Sequence, residues 1–542
     1  MGRAVLEFNW KGIGVHATHF HLPENFEEYM PVSKIIRLNA VDDVAIAKQQ
    51  LVAGTILTDE AVMVKDMIPA AHKVAMRAIA EGKPVRRYGQ VIGFASKAIE
   101  PGEHVHEYNL TVGEQGQDAH DEFARDYRFC IDARPTEFAE NPTTFKGIVR
   151  SDGRVATRNY IGILSSVNCS ATVTRGIADA FRKETLSNYP NVDGVVALTI
   201  DGGCCIDSKG AGIKLLRRTL AGYAQHANFA GLIFVGLGCE TNQIVTLCEE
   251  HQLQESKLFH TFNIQETGGT AKTIAKGIGI VKDMFPEANR VAREEVSAEY
   301  LTVALQCGGS DGYSGITANP ALGAAVDTLV RNGGTAVLSE TPEIYGAEHL
   351  LTRRAASREV GEKLVSRIKW WEDYVARNHG EMNNNPTAGN KAGGLTTILE
   401  KSLGAVAKGG STNLIDVYEY AEKIRAKGFV FMDGPGFDPV SITGEVAGGC
   451  NLVCFTTGRG SAYGCAPAPS IKLATNTALW QRQQEDMDLN CGEIVEGTDT
   501  VQEVGKRIFG LMIETASGRK TKSELHGYGQ NEFNPWQIGA IM

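Results

Sequence analysis

Four cysteines stand where an apolar run of the sequence gives way to a helix-like segment: Cys169, Cys204, Cys239 and Cys307. Carboxylates lie close to them in the sequence, at Asp201, Glu240 and Asp311. Because the carboxyl ends of parallel strands meet at one edge of a sheet, these groups would there form a site for iron or another soft divalent ion. Thiols that only pack against the starts of helices are the alternative interpretation, and the sequence gives no distances that separate the two.

The stretch 305–320 has the highest density of potential chemistry, reading Leu-Gln-Cys-Gly-Gly-Ser-Asp-Gly-Tyr-Ser-Gly-Ile-Thr-Ala-Asn-Pro. The apolar run at 301–305 predicts a buried strand before it, and the 3.6-residue spacing of 321–330 predicts a helix after it. Glycines such as Gly308 and Gly309 permit positive φ and let a ligand approach the peptide N–H groups. We therefore predict a ligand-binding loop, with a glycine-rich turn carrying incidental polar residues as the alternative.

Two further loops carry cationic side chains. Arg459 stands between two glycines after an apolar run, where a guanidinium suits bidentate capture of a carboxylate. The segment 385–394 places Asn390 and Lys391 in a predicted flexible turn, where the amine could serve as base or substrate clamp or remain an ordinary solvated lysine. Neither a dinucleotide fingerprint nor a Walker motif is present, so NAD and ATP are poorly supported.

The overall composition excludes several classes of function. A net charge of −10 without a basic tract gives no electrostatic footprint for nucleic acid, and no apolar run approaches the roughly 18 residues of a membrane span. The N-terminus lacks the apolar core of a signal peptide, which predicts a soluble cytoplasmic protein. Eleven cysteines in 542 residues, none spaced Cys-x-x-Cys, predict neither a disulfide framework nor a zinc ribbon.

The pattern along the chain divides it into regions. Residues 1–30 form an extension with His16, His19 and His21, which we interpret as a polar terminus rather than a metal site. Residues 31–112 predict a β-rich domain in which His104 and His106 face one side of a strand. Residues 113–144 predict a linker. From residue 145 onward, apolar strands alternate with helices, which predicts an α/β fold with mainly parallel sheets covered on both faces.

Long motifs in these regions resemble those of a known family. The strongest run from Cys307 to Pro320, from Asn385 to Gly394 and from Phe455 to Gly464, with support from His72-Lys-Val-Ala and Arg87-Tyr-Gly-Gln-Val-Ile-Gly. The chain resembles the altronate dehydratase and galactarate dehydratase family from about residue 34 to the C-terminus. The segment 342–351 is more similar to the altronate branch.

The resemblance implies a β-clip domain of the SAF type at 31–112, a middle α/β domain at 145–295 with dimer contacts, and a Rossmann-like C-terminal domain at 296–542. It implies a metal-dependent hydro-lyase that converts a sugar acid into a 2-keto-3-deoxy acid. The implied cofactor is Fe2+, with Mn2+ or an iron–sulfur cluster as alternatives, and the implied assembly is a cytoplasmic homodimer.

The family motifs fall on Cys169, Cys204, Cys239, Cys307, Ser310, Asp311, Lys391 and Arg459, and from these and neighbouring residues we infer individual roles. Catalytic roles are expected for Lys391, His72, Asp311 and Ser310. Substrate contacts are expected for Arg459, Gly308, Gly309, Asn390 and Ser461. Metal ligands are expected among Cys307, Cys239, Cys204 and Cys169. Relatives commonly carry a histidine where Ile200 stands here, so this chain either uses another base, such as Asp201 or His72, or acts on another substrate.

Three other functions compete with altronate dehydration. The chain could act on galactarate, or it could be a carbon–sulfur lyase that releases sulfite from a sulfonated hydroxy acid. A sugar-acid binding protein without turnover is the non-enzyme alternative, although several glycine-rich polar loops are more than binding alone requires. Release of water, release of sulfite and binding without turnover separate these possibilities.

Overall fold

The computed structural model describes residues 33–113, 127–181 and 186–539. The histidine-rich extension with His16, His19 and His21 lies outside the described residues. Residues 114–126 of the predicted linker also lie outside them. Among the residues described, no helix is both long enough and apolar enough to cross a membrane.

The N-terminal domain is built from short antiparallel strands. One sheet has the order Ile35–Ile36, Val44–Ala47, Lys73–Ala75 and His104–Val105, a second has the order Pro84–Arg87, Gln90–Ala95 and Leu110–Thr111, and a hairpin pairs Ile56–Leu57 with Val62–Met63. Tyr88 and Gly89 form a two-residue hairpin loop, and both have positive φ, as a turn that matches the twist of its strands requires. Val85, Ile92 and Val105 form part of the buried core.

A three-stranded antiparallel sheet, of order Val155–Ala156, Thr144–Val149 and Glu294–Ser297, joins the two ends of the middle domain. The middle domain has a parallel sheet of order Gly194–Leu198, Tyr160–Ser165, Phe229–Gly236 and Phe259–Asn263. Its helices are Ala171–Ala178, Ala211–Ala224, Ile244–His251, Ile264–Thr267 and Thr270–Ala288.

The C-terminal domain contains a parallel sheet of order Leu414–Tyr418, Gly428–Met432, Thr335–Leu338, Thr302–Cys307, Leu452–Thr457, Ser470–Ala474 and Leu489–Asn490. Its helices are Ala318–Arg331, His349–Thr352, Arg358–Arg377, Ala388–Ala392, Ile398–Val406, Asp438–Gly448, Thr477–Arg482, Glu493–Glu496, Val501–Ala516 and Lys522–His526. The central strands are buried throughout, which explains their continuous apolar runs. The predicted α/β class with a small N-terminal β domain and a large parallel sheet is confirmed.

Candidate active site

The strand order of the C-terminal sheet reverses between Thr302–Cys307 and Leu452–Thr457. The strands that lie between these two in the chain are on one side of Thr302–Cys307, and the strands after residue 457 are on the other. Ligands of open α/β sheets bind in the crevice at such a reversal, beyond the carboxyl ends of the strands. The loops that follow residues 307 and 457 therefore define the candidate site.

Gly309 joins these two loops through its backbone. It has a φ of +59°, and its carbonyl accepts the N–H of Gly458 at 3.1 Å and of Arg459 at 2.9 Å. The N–H of Gly308 donates to the carbonyl of Thr456 at 3.1 Å. The Gly308 N–H, expected to contact substrate, is therefore already used by the backbone.

Asp311 is buried against both loops, and its carboxylate is held by several donors. The hydroxyls of Ser314 and Thr475 and the side-chain amide of Asn476 each donate to it at 3.0 Å. A Cβ at position 458 would collide with this carboxylate, so Gly458 is what lets the second loop approach. Burial raises the pKa of Asp311 against the effect of its hydrogen bonds. A fixed carboxylate with a raised pKa is suited to accept a proton from a substrate.

Asp311 and Arg459 line the same cavity, of about 330 Å³, between the N-terminal domain and the C-terminal sheet. Its basic side chains are Lys48, Arg459 and Arg482, and Glu496 also lines it. This volume is at the lower end of the range for small-molecule sites. The arrangement suits a small anion whose carboxylate meets cations and whose remainder lies near Asp311.

Tyr313 fastens the N-terminal domain to this site. Its hydroxyl donates to the carbonyl of Ala47 at 2.9 Å and accepts the N–H of Ala71 at 3.1 Å. The N–H of Gly312 donates to the carbonyl of Gly393 at 2.8 Å, which ties a third loop to the same place. The cavity walls thus come from two domains that are held in one geometry.

A buried ionic group crosses the same domain boundary. Glu400 lies 2.9 Å from the amine of Lys73 and 2.6 Å from the guanidinium of Arg87. Burial works to raise the pKa of Glu400, but the two cations outweigh it and hold the pKa at about 2. Lys73 also donates to the carbonyl of Gly394 and Arg87 to that of Gly312, each at 2.6 Å. The charges therefore position the loops that line the cavity.

Histidines of the N-terminal domain form a hydrogen-bonded chain against the loop at 391–392. The chain runs from the Tyr108 hydroxyl to His104 Nδ1 at 2.9 Å, from His104 Nε2 to His72 Nδ1 at 3.0 Å, and from His72 Nε2 to the Ala392 carbonyl at 3.2 Å. Since a carbonyl only accepts, His72 Nε2 carries a proton, which leaves Nδ1 to accept from His104. Both nitrogens of His72, an expected base, are therefore engaged.

Burial is the main cause that lowers the pKa of His72 to about 4 and of His104 to about 3, with neighbouring histidines and Lys73 adding to it. The unfolded chain binds these protons near pH 6.5, whereas the folded chain does not. We expect the melting temperature to fall as pH drops from 6.5 towards 4, because the unfolded state then binds more protons. Melting curves of wild type and His104→Gln test this.

The His104→Gln curve should depend less on pH than the wild-type curve over that window. His260→Gln, at a partly exposed histidine of the middle domain, should leave the dependence unchanged. Equal pH dependence in all three proteins would contradict the assignment.

Comparison with known proteins shows which family the chain is similar to. Three family descriptions match successive parts of the chain: "Altronate/galactarate dehydratase SAF domain" at residues 33–113, "D-galactarate dehydratase/Altronate hydrolase, second domain" at residues 147–289 and "D-galactarate/Altronate dehydratase, C-terminal" at residues 298–541. Altronate dehydratase of Bacillus subtilis strain 168 is 33% identical over 92% of this chain and 98% of its own. The chain belongs to the altronate/galactarate dehydratase family. This confirms the resemblance, and the reaction class is that of a hydro-lyase.

The names of other relatives of this chain give different substrates. Galactarate dehydratase (L-threo-forming) of Escherichia coli strain K12 is 35% identical over 93% of this chain and 97% of its own. The beta subunit of (2R)-sulfolactate sulfo-lyase from Chromohalobacter salexigens is 31% identical over 71% of this chain and 95% of its own. Family membership therefore leaves more than one substrate open.

Cys307, an expected metal ligand of this dehydratase, is buried with charged groups. Its sulfur and the carboxylates of Glu340 and Glu343 lie within 4.8 Å of one another. The amine of Lys408 lies 2.9 Å from the sulfur, and the amine of Lys401 lies 2.8 Å from Glu343. Burial raises the pKa of the Cys307 thiol to about 12. The ammonium groups of Lys408 and Lys401 already compensate the charge of these carboxylates, so the group as it stands does not favour a further cation.

The other expected metal ligands lie on a different sheet. Cys169, Cys204 and Cys239 follow strands of the middle domain, whereas Cys307 ends a strand of the C-terminal sheet. The predicted four-cysteine site is therefore divided, because the four strands do not share one sheet edge. The three thiols of the middle domain offer soft donors of the kind that iron accepts from proteins.

The segment 385–394, predicted to be a flexible turn, contains the helix Ala388–Ala392. Thr387 and Asn390 form a capping box at its start, which is the physical reason for the difference. The Asn390 amide also donates to the Ser310 carbonyl at 2.9 Å, so this expected substrate ligand holds two loops together. Lys391 lies 2.9 Å from Glu107, outside the cavity lining.

Two serines complete the expected set. The Ser461 hydroxyl accepts the N–H of Tyr463 at 3.1 Å within its own turn. The Ser310 hydroxyl is buried, and within the described part of the chain it has no hydrogen-bond partner. An unsatisfied buried hydroxyl is costly in a native fold, which makes Ser310 the serine whose environment favours contact with a ligand.

Proposed function

We propose that this protein removes water from a sugar acid in an iron-dependent reaction that gives a 2-keto-3-deoxy acid, with altronate or a similar hexonate as substrate. The observation that supports this most is the cavity at the sheet reversal, which Asp311 and Arg459 both line. It combines a carboxylate suited to take a proton with cations suited to hold a carboxylate. Dehydration next to a carboxylate requires both functions.

Binding rests on the cations of the cavity. Arg459 would hold the substrate carboxylate, because a guanidinium matches its two oxygens, and Lys48 and Arg482 would add charge. The backbone bonds from Gly458 and Arg459 to Gly309 fix the loop on which the guanidinium is carried. A substrate held in this way presents its C2 carbon to the carboxylate of Asp311.

Proton transfer rests on Asp311. Its carboxylate would take the C2 proton, and the raised pKa makes it a stronger base than an exposed aspartate. Three side-chain donors keep its geometry fixed while the charge of the carboxylate changes. The proton that Asp311 takes from C2 is then passed to the C3 hydroxyl, which leaves as water and restores the carboxylate. The resulting enol becomes the keto acid when its hydroxyl proton moves through solvent to C3.

Iron is the cofactor that the resemblance implies, and as a Lewis acid it would stabilise negative charge on a substrate bound to it. The soft donors of this chain that would hold it are Cys169, Cys204 and Cys239, which are not part of the lining of the Asp311 cavity, so we give iron no step at Asp311. The Cys307 group is unsuitable for the reasons of charge given above.

Altronate is the first choice of substrate because the segment 342–351 is similar to the altronate branch. Galactarate is the second choice because the cavity has three basic side chains, which suits an acid with two carboxylates. A screen of purified protein with ferrous iron under anaerobic conditions, against hexonates, hexarates and sulfolactate, tests both. Keto-acid formation from a hexonate supports the proposal, whereas sulfite release without any dehydration would replace it.

Replacement of Arg459 by alanine tests the binding role. We expect KM for the sugar acid to rise roughly 10- to 100-fold, because a charge-assisted hydrogen bond worth about 1.5 to 3 kcal/mol is lost. Steady-state kinetics measure the change. Arg290→Ala, at an arginine paired with Glu287 on the surface, is the control and should keep the wild-type KM. Equal KM values in both variants would contradict the role of Arg459.

A further inference from the structure

The strand order of the middle-domain sheet also reverses, and cysteines stand beside the reversal. It lies between Tyr160–Ser165 and Phe229–Gly236, since the second strand in the chain is on one side and the fourth is on the other. Cys169 follows the first of these strands and Cys239 follows the second. Cys204 follows the adjacent strand, Gly194–Leu198. The position that favours ligands in this fold is therefore surrounded by thiols.

The loops that carry these thiols are fastened to one another. The N–H of Asn168 donates to the carbonyl of Gly202 at 2.9 Å, and the N–H of Asn242 donates to that of Gly203 at 3.0 Å. The Asn242 amide donates to the carbonyl of Ser166 at 2.9 Å. A Cβ at Gly203 would collide with that same carbonyl, so glycine is needed for the close approach. Three loops are thus held in register without a ligand.

The carboxylate of Glu240 stabilises the loop that carries Cys239. Its carboxylate accepts the Ser166 hydroxyl at 2.7 Å, the N–H of Leu237 at 3.1 Å and the N–H of Gly238 at 2.6 Å. Because its oxygens are used in this way, Glu240 positions the loop rather than serving as a free ligand. A buried carboxylate that organises a loop around an exposed thiol is typical of a built site.

The thiols themselves differ from the structural cysteines of the chain. Cys169 and Cys239 are exposed and Cys204 is half-buried, whereas Cys450, Cys454 and Cys491 are buried among apolar groups. Cys204 Sγ lies 3.7 Å from Cys205 Sγ on the same loop. The three thiols therefore lie on adjoining loops, outside the apolar core.

The spacing of the three sulfur atoms favours an iron–sulfur cluster over a single metal ion. In the described ranges, the potential ligand group whose atoms all lie within 4.8 Å is that of Cys307, Glu340 and Glu343, and the middle-domain thiols do not form another. One zinc or iron ion could not reach all three sulfurs without movement. An iron–sulfur cluster carries several irons and is bound by cysteine thiolates, so it can bridge more widely spaced sulfurs.

We propose that Cys169, Cys204 and Cys239 bind an iron–sulfur cluster of the [4Fe–4S] type, one iron of which has no protein ligand from this set. Binding releases one proton from each thiol, and the thiolates form three iron–sulfur bonds. This inference does not depend on which sugar acid is the substrate.

Anaerobic reconstitution of the full chain with equal amounts of ferrous and ferric iron, together with sulfide, tests the proposal without an activity assay. We expect about four irons and four sulfides per chain, a broad visible absorbance and an EPR signal after one-electron reduction. Cys169→Ser, Cys204→Ser and Cys239→Ser should each lose most of the iron and the absorbance. Cys248→Ser, at a half-buried cysteine of the same domain, should keep both.

Thiol alkylation of wild type, followed by mass spectrometry, covers the case in which a serine variant fails to fold. The reconstituted protein should be protected at Cys169, Cys204 and Cys239, and the apo protein should react at all three. Iron without sulfide, zinc in place of iron, or equal alkylation with and without reconstitution would overturn the proposal. Loss of the cluster would not by itself disprove the hydro-lyase reaction, since the substrate screen measures that separately.

Discussion

Asp311→Asn should lower kcat roughly 100- to 10,000-fold, the usual contribution of a general base. The asparagine has nearly the same size and can still accept the hydroxyls of Ser314 and Thr475, but it cannot take the C2 proton. KM should change far less, because the cations that hold the substrate carboxylate remain. Steady-state kinetics on the hexonate, together with a melting curve of the variant, measure both effects.

Asp488→Asn is the matched control for this change. Asp488 also has a pKa raised by burial and accepts hydrogen bonds, here from the backbone N–H groups of Lys472 and Lys522, but it is not part of the cavity lining. It should keep the wild-type kcat. A folded Asp311→Asn enzyme with near wild-type kcat would show that another residue takes the proton.

Glu400→Gln should destabilise the protein by about 3 to 5 kcal/mol, because it leaves two buried cations without their anion. Lys73 and Arg87 lie within 3 Å of its carboxylate and are as buried as it is, so water cannot replace the lost charge. Chemical denaturation measures the free energy of unfolding. The first unfolding transition should be the separation of the N-terminal domain from the C-terminal domain, because all three residues lie at the boundary between them.

Glu362→Gln is the control, because Glu362 makes an exposed ion pair with Arg358 on a helix surface. It should cost about 0.5 kcal/mol or less. The pH dependence gives a second check: the low pKa of Glu400 stabilises the fold above its unfolded pKa, and this contribution is lost as pH falls towards 2. Equal unfolding free energies for the two variants would contradict the role of Glu400.

The sequence predicts the strands and loops of the site well where local pattern is strong. The apolar run at 301–305 forms the strand Thr302–Cys307 in the structure. The segment with helical spacing after it forms the helix Ala318–Arg331. The sequence predicts Cys307, Asp311 and Arg459 in one pocket; Asp311 and Arg459 do line one cavity, but Cys307 is not part of its lining. Buried parallel strands and glycine loops leave a clear signal because each depends on near neighbours in the chain.

The remaining features depend on residues that are far apart in sequence. Lys73 and Glu400 are separated by 327 residues, and Cys307 and Lys408 by 101, so no spacing rule predicts either contact. The cavity cations Lys48 and Arg482 have no motif of their own. The division of the cysteines between two sheets also follows from strand order, which the sequence of strands and helices does not determine.

We propose that this cavity converts a sugar acid into a keto acid by removing the C2 proton. The most direct test of this proposal is NMR observation of C2-deuterated altronate incubated anaerobically with the iron-loaded wild-type protein. We predict a 2-keto-3-deoxy acid that has lost the C2 deuteron, formed far more slowly by Asp311→Asn. An unchanged substrate with its carbon–deuterium bond intact would contradict it.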